Sequence, residues 1–325
     1  MARIGYALSS EEHAPRDLVR YAAEAERAGM SFVSVSDHFH PWIARQGHSP
    51  FVWSVLGGIA ASTERIEVIT GVTCPLIRIH PAIVAQAAAT TAAMMPGRFS
   101  LGLGTGEALN EHVVGERWPS ASERLDMLEE AIAVIRELWS GEDVEHLGAH
   151  YRVVDARLYT LPTEPPPILV AAAGPRAAET AGRLADGLVS TSPDADVMDA
   201  FTSAGGEGKP RYGQLTVCWA ADERSARATA FEWWPTAAVS GELSQELPLP
   251  RHFEQAVSDV TEEDVAEQVV CGPDPERHVN AIRGYVDAGF DHVYLHQVGP
   301  DQEGFFRFFR DELRPRLSEA AIAAA

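Results

Sequence analysis

The chain has 325 residues, 46% apolar and 22% charged, and no run of eighteen apolar residues lacks a charge or a turn former, which excludes disorder and membrane-spanning helices. With 26 basic against 47 acidic residues the net charge is −21, a field that repels phosphate backbones and anionic lipid and so excludes nucleic acid as a partner. Arginine supplies every basic side chain except Lys209, which removes a P-loop lysine.

Taken in chain order, short β-branched runs alternate with longer stretches of helical spacing. A strand over 3–8 precedes a helix over 15–28, with Pro15 suited to its first turn and Gly29 to its stop. Next come a strand over 32–37, a helix over 51–62, a strand over 66–72, a helix over 82–95 ended by Pro96-Gly97, and a strand over 99–104. The helix over 122–140 is the clearest, because Leu125, Leu128, Ile132, Ile135 and Leu138 share one face. Residues 144–162 alternate and read as an inserted hairpin. Further strands are expected over 168–173, 187–191, 214–220 and 292–298, with helices over 175–184, 223–234, 275–289 and 303–317. Residues 235–268 read as a second insertion, irregular in its early portion (Pro235, Gly241, Pro248, Pro250) and long enough to form a lid.

Eight βα units without a Gly/Ser-rich linker predict one α/β domain over 1–325, a (β/α)8 TIM barrel, and not an open doubly wound sheet. The doubly wound alternative needs a glycine-rich turn after its first strand, and Leu8-Ser9-Ser10-Glu11-Glu12 has none. The N-terminus has no long apolar stretch or cleavage site, so a cytoplasmic protein is expected. Cys74, Cys218 and Cys271 lack any CxxC or Cys/His spacing and read as buried small hydrophobes.

In a barrel the active site is built where strands run into their C-terminal loops. The second strand ends in Ser36-Asp37-His38-Phe39-His40-Pro41-Trp42, and the fourth in Gly104-Thr105-Gly106-Glu107 followed by Asn110. Histidine suits proton transfer near neutral pH, which marks His38; His40 is read as structural. A metal held by Asp37, His38, His40 and Glu107 is the rival reading, weakened by the lack of a third ligand at a recognised spacing, so no metal is assigned.

Four segments, SDHFHPW (36–42), GVTCP (71–75), GLGTGEALNE (102–111) and AAGP (172–175), resemble the luciferase-like flavin and deazaflavin oxidoreductases, and within them the F420-dependent glucose-6-phosphate dehydrogenase group. The likeness is collinear over the whole chain. It implies a (β/α)8 barrel, a homodimer, and coenzyme F420 bound across the strand ends, with FMN as the alternative cofactor. On that resemblance His38 is the base that takes a hydroxyl proton, Trp42 the indole beside substrate, and Glu107 the carboxylate that protonates the deazaflavin. Asp37, Gly71, Val72, Thr73, Asn110, Ala173, Gly174 and Thr191 fall where the family contacts its cofactor, Gly71-Val72 at the family's non-prolyl cis bond.

The resemblance implies hydride transfer between F420 and an alcohol or hemiacetal. The family's glucose-6-phosphate enzymes use a lysine just after the sixth strand; here Thr191-Ser192 is followed by Pro193-Asp194, and that carboxylate argues against a sugar phosphate. An F420H2-dependent reductase of an activated C=C or C=O, and an FMN-dependent monooxygenase or reductase, are the alternatives.

Overall fold

The computed structural model describes residues 2–239 and 241–317. Eleven strands are found among them: β1 (Arg3–Leu8), β2 (Phe32–Val35), β3 (Glu67–Thr70), β4 (Phe99–Leu103), β5 (Val144–Leu147), β6 (Arg152–Ala156), β7 (Ile168–Ala171), β8 (Gly187–Ser190), β9 (Arg211–Cys218), β10 (Val270–Cys271) and β11 (His292–Gln297). Eight of these pair in parallel in the order β1-β2-β3-β4-β7-β8-β9-β11, and β11 returns to β1 with Tyr6 opposite Leu295, closing a barrel. The flanking helices are α1 (Pro15–Ala28), α2 (Val52–Ser62), α3 (Pro81–Met94), α4 (Ala108–Glu111), α5 (Ala121–Leu138), α6 (Pro175–Leu184), α7 (Ala195–Phe201), α8 (Glu223–Trp233), α9 (Leu243–Glu246), α10 (Pro250–Ala256), α11 (Glu262–Gln268), α12 (Pro275–Asp287) and α13 (Gln302–Phe308).

Barrel strands are buried on both faces, and alternation sorts their side chains. Phe32, Ile69, Leu169, Val189, Tyr212 and Tyr294 form a cluster inside the barrel. Their neighbours Val33, Val35, Val68, Ile168, Val170, Leu188, Val293 and Leu295 join the larger core beneath the helices. Gly29 stops α1 in the left-handed region at φ 85°. On α5 the expected face is buried at Leu128, Ile132, Ile135 and Leu138, but Leu125 is half-exposed and Arg124 takes the buried place in the first turn. Its guanidinium is held there by Pro119 O at 2.7 Å, Glu246 and Gln245, and lies 4.2 Å over the Trp118 ring.

Several strands end two residues earlier than expected. β2 stops at Val35, not Asp37; β3 at Thr70, not Val72; β7 at Ala171, not Ala173. In each case the backbone leaves the ladder at the C-terminal rim, so the last residues of the expected strand belong to the mouth. β9 begins at Arg211, three residues earlier than expected, because Arg211–Gly213 pair with β8. The hairpin is present as antiparallel β5 and β6. The second insertion contains α9, α10 and α11 and ends in β10, which extends the outer edge of β9 with Cys271 opposite Cys218. The expected C-terminal helix divides into α13 and a π-helical turn, Phe309–Leu313. The three cysteines are free and buried. Among the described residues no helix is long and apolar enough to cross a membrane.

Candidate functional site

The loop after β1 is buried without a break from Ser9 to His13, including two adjacent carboxylates, Glu11 and Glu12. Ser36, just past β2, accepts from Ser10 N at 2.8 Å and donates to Glu11 Oε2 at 2.7 Å, which joins the first two strand ends. Two residues on, His38 Nε2 lies 3.2 Å from Glu11 Oε1, with side chains 10% and 3% exposed. Its other nitrogen, Nδ1, lies 3.2 Å from His40 O. A carbonyl oxygen only accepts, so Nδ1 is the N–H nitrogen; an ionised carboxylate also only accepts, so the Nε2 contact with Glu11 is a hydrogen bond only when Nε2 carries a second proton. Burial alone would raise the Glu11 carboxyl; the positive charge His38 carries when protonated and the Ser36 hydroxyl outweigh it and hold Glu11 below the usual carboxylate range.

Asp37 turns the other way. Its carboxylate is fully buried, accepting from Thr73 Oγ1 at 2.8 Å and Arg78 Nη2 at 2.9 Å. The same guanidinium donates through Nε to Glu111 Oε1 at 3.3 Å, and the Arg78 backbone N–H donates to Glu111 Oε2 at 2.8 Å. Burial pushes the Glu111 carboxyl up against the pull of Arg78. One arginine thus ties the loops after β2, β3 and β4 together.

At the end of β3 the Gly71-Val72 peptide is cis. A Cβ at Gly71 would fall on Ser34 Oγ, and one at Gly102 on Thr70 O, so only glycine lets these strand ends approach. Thr73 is fully buried and bridges to Leu103, its N–H donating to Gly102 O at 2.8 Å. Val72 packs against the inner barrel cluster. Glu107 is half-buried at the start of α4 and accepts from Asn110 Nδ2 at 3.1 Å. Asn110 Oδ1 accepts from Phe39 N at 2.8 Å and His40 N at 3.2 Å.

Trp42 stands 5.0 Å from His38, ring centre to ring centre, and meets Phe253 of α10 nearly at right angles at 5.2 Å. The second insertion therefore roofs this side of the mouth. Glu254 of α10 ties the insertion to the Trp42 loop by accepting from Ala44 N, while Gln46 joins the loop to the end of α8, accepting from Trp42 N and donating to Trp233 O. Ala173 and Thr191 lie exposed past β7 and β8, and half-buried Gly174 caps α6, whose first turn has no side-chain cap.

The structure thus gathers His38, Trp42, Asp37, Thr73, Asn110 and Glu107 at the mouth in separate bonded sets: His38 with Glu11 and against the Trp42 ring, Asp37 with Thr73 and Arg78, and Asn110 with Glu107. It leaves Ala173, Gly174 and Thr191 at the ends of the neighbouring strands β7 and β8, without side-chain bonds to those sets. His40 is turned away, its Nδ1 bonded to Leu109 O at 2.8 Å and its ring stacked on His112. Sequence reasoning missed Glu11, Arg78, Glu111 and Phe253. Only Glu11 carried a signal, since it sits one short loop past a strand end, where barrel sites are built.

The small residues past β7, open space at Gly174 and the uncapped N–H groups opening α6 suit a ligand bearing a phosphate. Residues 1–292 match the model of the luciferase-like monooxygenase family. F420-dependent glucose-6-phosphate dehydrogenases from Microbacterium testaceum and Kribbella flavida are 37% and 38% identical to the chain, each over 97% of it and over 97% and 98% of their own lengths. An F420-dependent secondary alcohol dehydrogenase, solved with an F420-acetone adduct, superposes with a TM-score of 0.90 at 29% identity, covering 97% of this chain and 99% of that one. With a family match over most of its length and these relatives end to end, the chain belongs to the luciferase-like monooxygenase family.

Proposed function

We propose that this enzyme, an F420-dependent oxidoreductase, moves a hydride between the deazaflavin and an alcohol or hemiacetal that carries no phosphate, with His38 as the base. The observation that carries this is the placement of His38: Nδ1 is committed to the His40 carbonyl, and Nε2 faces the buried Glu11 carboxylate. A proton arriving at Nε2 from a substrate hydroxyl creates an ion pair with Glu11, so the site stabilises the charge that alcohol oxidation deposits there.

Asp37, Gly71, Val72, Thr73, Asn110, Ala173, Gly174 and Thr191 are the residues assigned to the cofactor, with the α6 N-terminus for its phosphate. When bound, F420 supplies a two-electron hydride acceptor or donor. Glu107, whose carboxylate is oriented by the Asn110 Nδ2 hydrogen bond, is the group assigned to pass a proton to the cofactor. Trp42, backed by Phe253, covers the substrate and excludes water.

The engagement of the basic groups supports an unphosphorylated substrate. Lys209 Nζ donates to Gly182 O at 2.6 Å, Asp194 caps α7 with its own carboxylate, and Arg277 pairs with Glu223. Titration against F420 and FMN in parallel, followed by tryptophan fluorescence, is expected to give micromolar or tighter binding to F420, about −8 kcal/mol, and little to FMN. A screen of unphosphorylated alcohols with bound F420 then follows. Turnover of glucose 6-phosphate with kcat/KM of roughly 10⁴ M⁻¹s⁻¹ or above overturns the substrate assignment.

A further inference from the structure

The loop after β1 serves both neighbouring strands. β1 pairs with β2 on one side and β11 on the other. Glu11 reaches His38 beyond the end of β2; the next residue, Glu12, reaches His296 of β11. Glu12 Oε2 lies 3.1 Å from His296 Nε2, with side chains 0% and 3% exposed, and Glu12 Oε1 accepts from Gly299 N at 2.9 Å. On β11 the residues at alternate positions face inward, since Tyr294 joins the inner barrel cluster, and His296 is the next inward residue toward the mouth. Its Nδ1 is buried with no hydrogen-bond partner, and its ring meets that of Trp234 edge-on at 4.4 Å, just where the second insertion leaves α8.

We propose that Glu12 and His296 are a positioning pair that fixes the Ser9–His13 loop, and through it Glu11 against His38, in the reactive arrangement. Two adjacent buried carboxylates on one loop are costly unless each is paired and hydrogen-bonded. Glu11 takes Ser9, Ser36 and His38 as partners; Glu12 takes His296 and Gly299. Releasing Glu12 frees the loop that aims Glu11. The same ring, wedged on Trp234, anchors the root of the insertion that brings Phe253 onto Trp42. Neither residue needs to touch substrate for this role.

The inference rests on His38 being the base, and its test separates the two. His296→Ala and Glu12→Gln are compared with the parent protein in three measurements: F420 affinity by fluorescence titration, kcat and KM with the alcohol that turns over, and the NMR ring signals of His38 in the cofactor-free protein. Expected for His296→Ala are an F420 affinity and KM within twofold, a kcat lower by about 10- to 100-fold, and displaced His38 signals. Glu12→Gln, which retains an acceptor for His296, is expected to recover part of both effects. Unmoved His38 signals in both variants overturn the proposal whatever happens to kcat, and so does a kcat within twofold of the parent. If His296→Ala does not fold, Glu12→Gln alone decides by the same criteria. If the parent protein fails to bind F420, the cofactor reading falls, while the His38 signals still decide the positioning pair.

Discussion

Asn110 Oδ1 accepts the backbone N–H of Phe39 at 2.8 Å, so the loop carrying His38 is held by a residue from the loop carrying Glu107. The same oxygen takes His40 N, and the amide nitrogen donates to Glu107. Asn110→Ala leaves two backbone donors without their acceptor at a site where Asn110 itself is 1% exposed. Because Phe39 is exposed and His40 half-exposed, water can take up part of the lost bonding, and the expected total cost is about 1–3 kcal/mol, read as a lower denaturant midpoint with an unchanged slope.

His38→Ala should lower kcat by about 10²- to 10⁴-fold, the range for losing a general base, while F420 affinity changes little. Steady-state kinetics beside a fluorescence titration checks both parts. Full activity in this variant removes His38 from the chemistry.

Arg78 is the cation between two buried carboxylates, Asp37 and Glu111. Breaking a buried ion pair by deleting one partner costs about 3–5 kcal/mol, so Arg78→Ala should unfold at markedly lower temperature. Its deficit should shrink as the pH falls, because protonating the two abandoned carboxylates removes the uncompensated charge. Thermal unfolding of parent and variant across a pH series reads both effects.

Glu11 has a lowered folded-state pKa, so its contribution to stability is fully present above the unfolded value of about 4.3 and is lost as the pH falls through the folded value. Glu11→Gln should therefore flatten the loss of stability below about pH 4.3. Urea midpoints for the two proteins should converge toward acid and diverge toward neutrality. Parallel curves would show that the carboxylate has no such linkage.

A homodimer is the assembly we propose from the family resemblance. Light scattering of the purified protein should return twice the mass of one chain; a monomer mass at working concentrations contradicts it.

The barrel was legible because each unit's signal is local. Pro15 and Gly29 bracket α1, the period of 122–140 buries Leu128, Ile132, Ile135 and Leu138, and the β-branched runs fall on the barrel strands. Strand ends were less legible, since nothing local in Ser36-Asp37 or Gly71-Val72 marks where the backbone leaves its ladder at the mouth. Phe253, from an insertion with no clear period, gave no hint that it would back Trp42.

The sequence by itself determined the alternation of strands and helices, the glycine-rich turns, and the contiguous Ser36–Trp42 segment, because hydrophobic period and turn chemistry act over a few residues. It also determined, through a net charge of −21 and a single lysine, which partners and which phosphate chemistry are disfavoured. Only the tertiary structure decided which carboxylate each imidazole and guanidinium receives. Barrel closure sets Glu12 of the β1 loop beside His296, 284 residues away, and Arg78 against Asp37 across 41 residues. Such pairings follow from strand register and burial, where an unpaired charge is costly, and no local pattern in the chain encodes them.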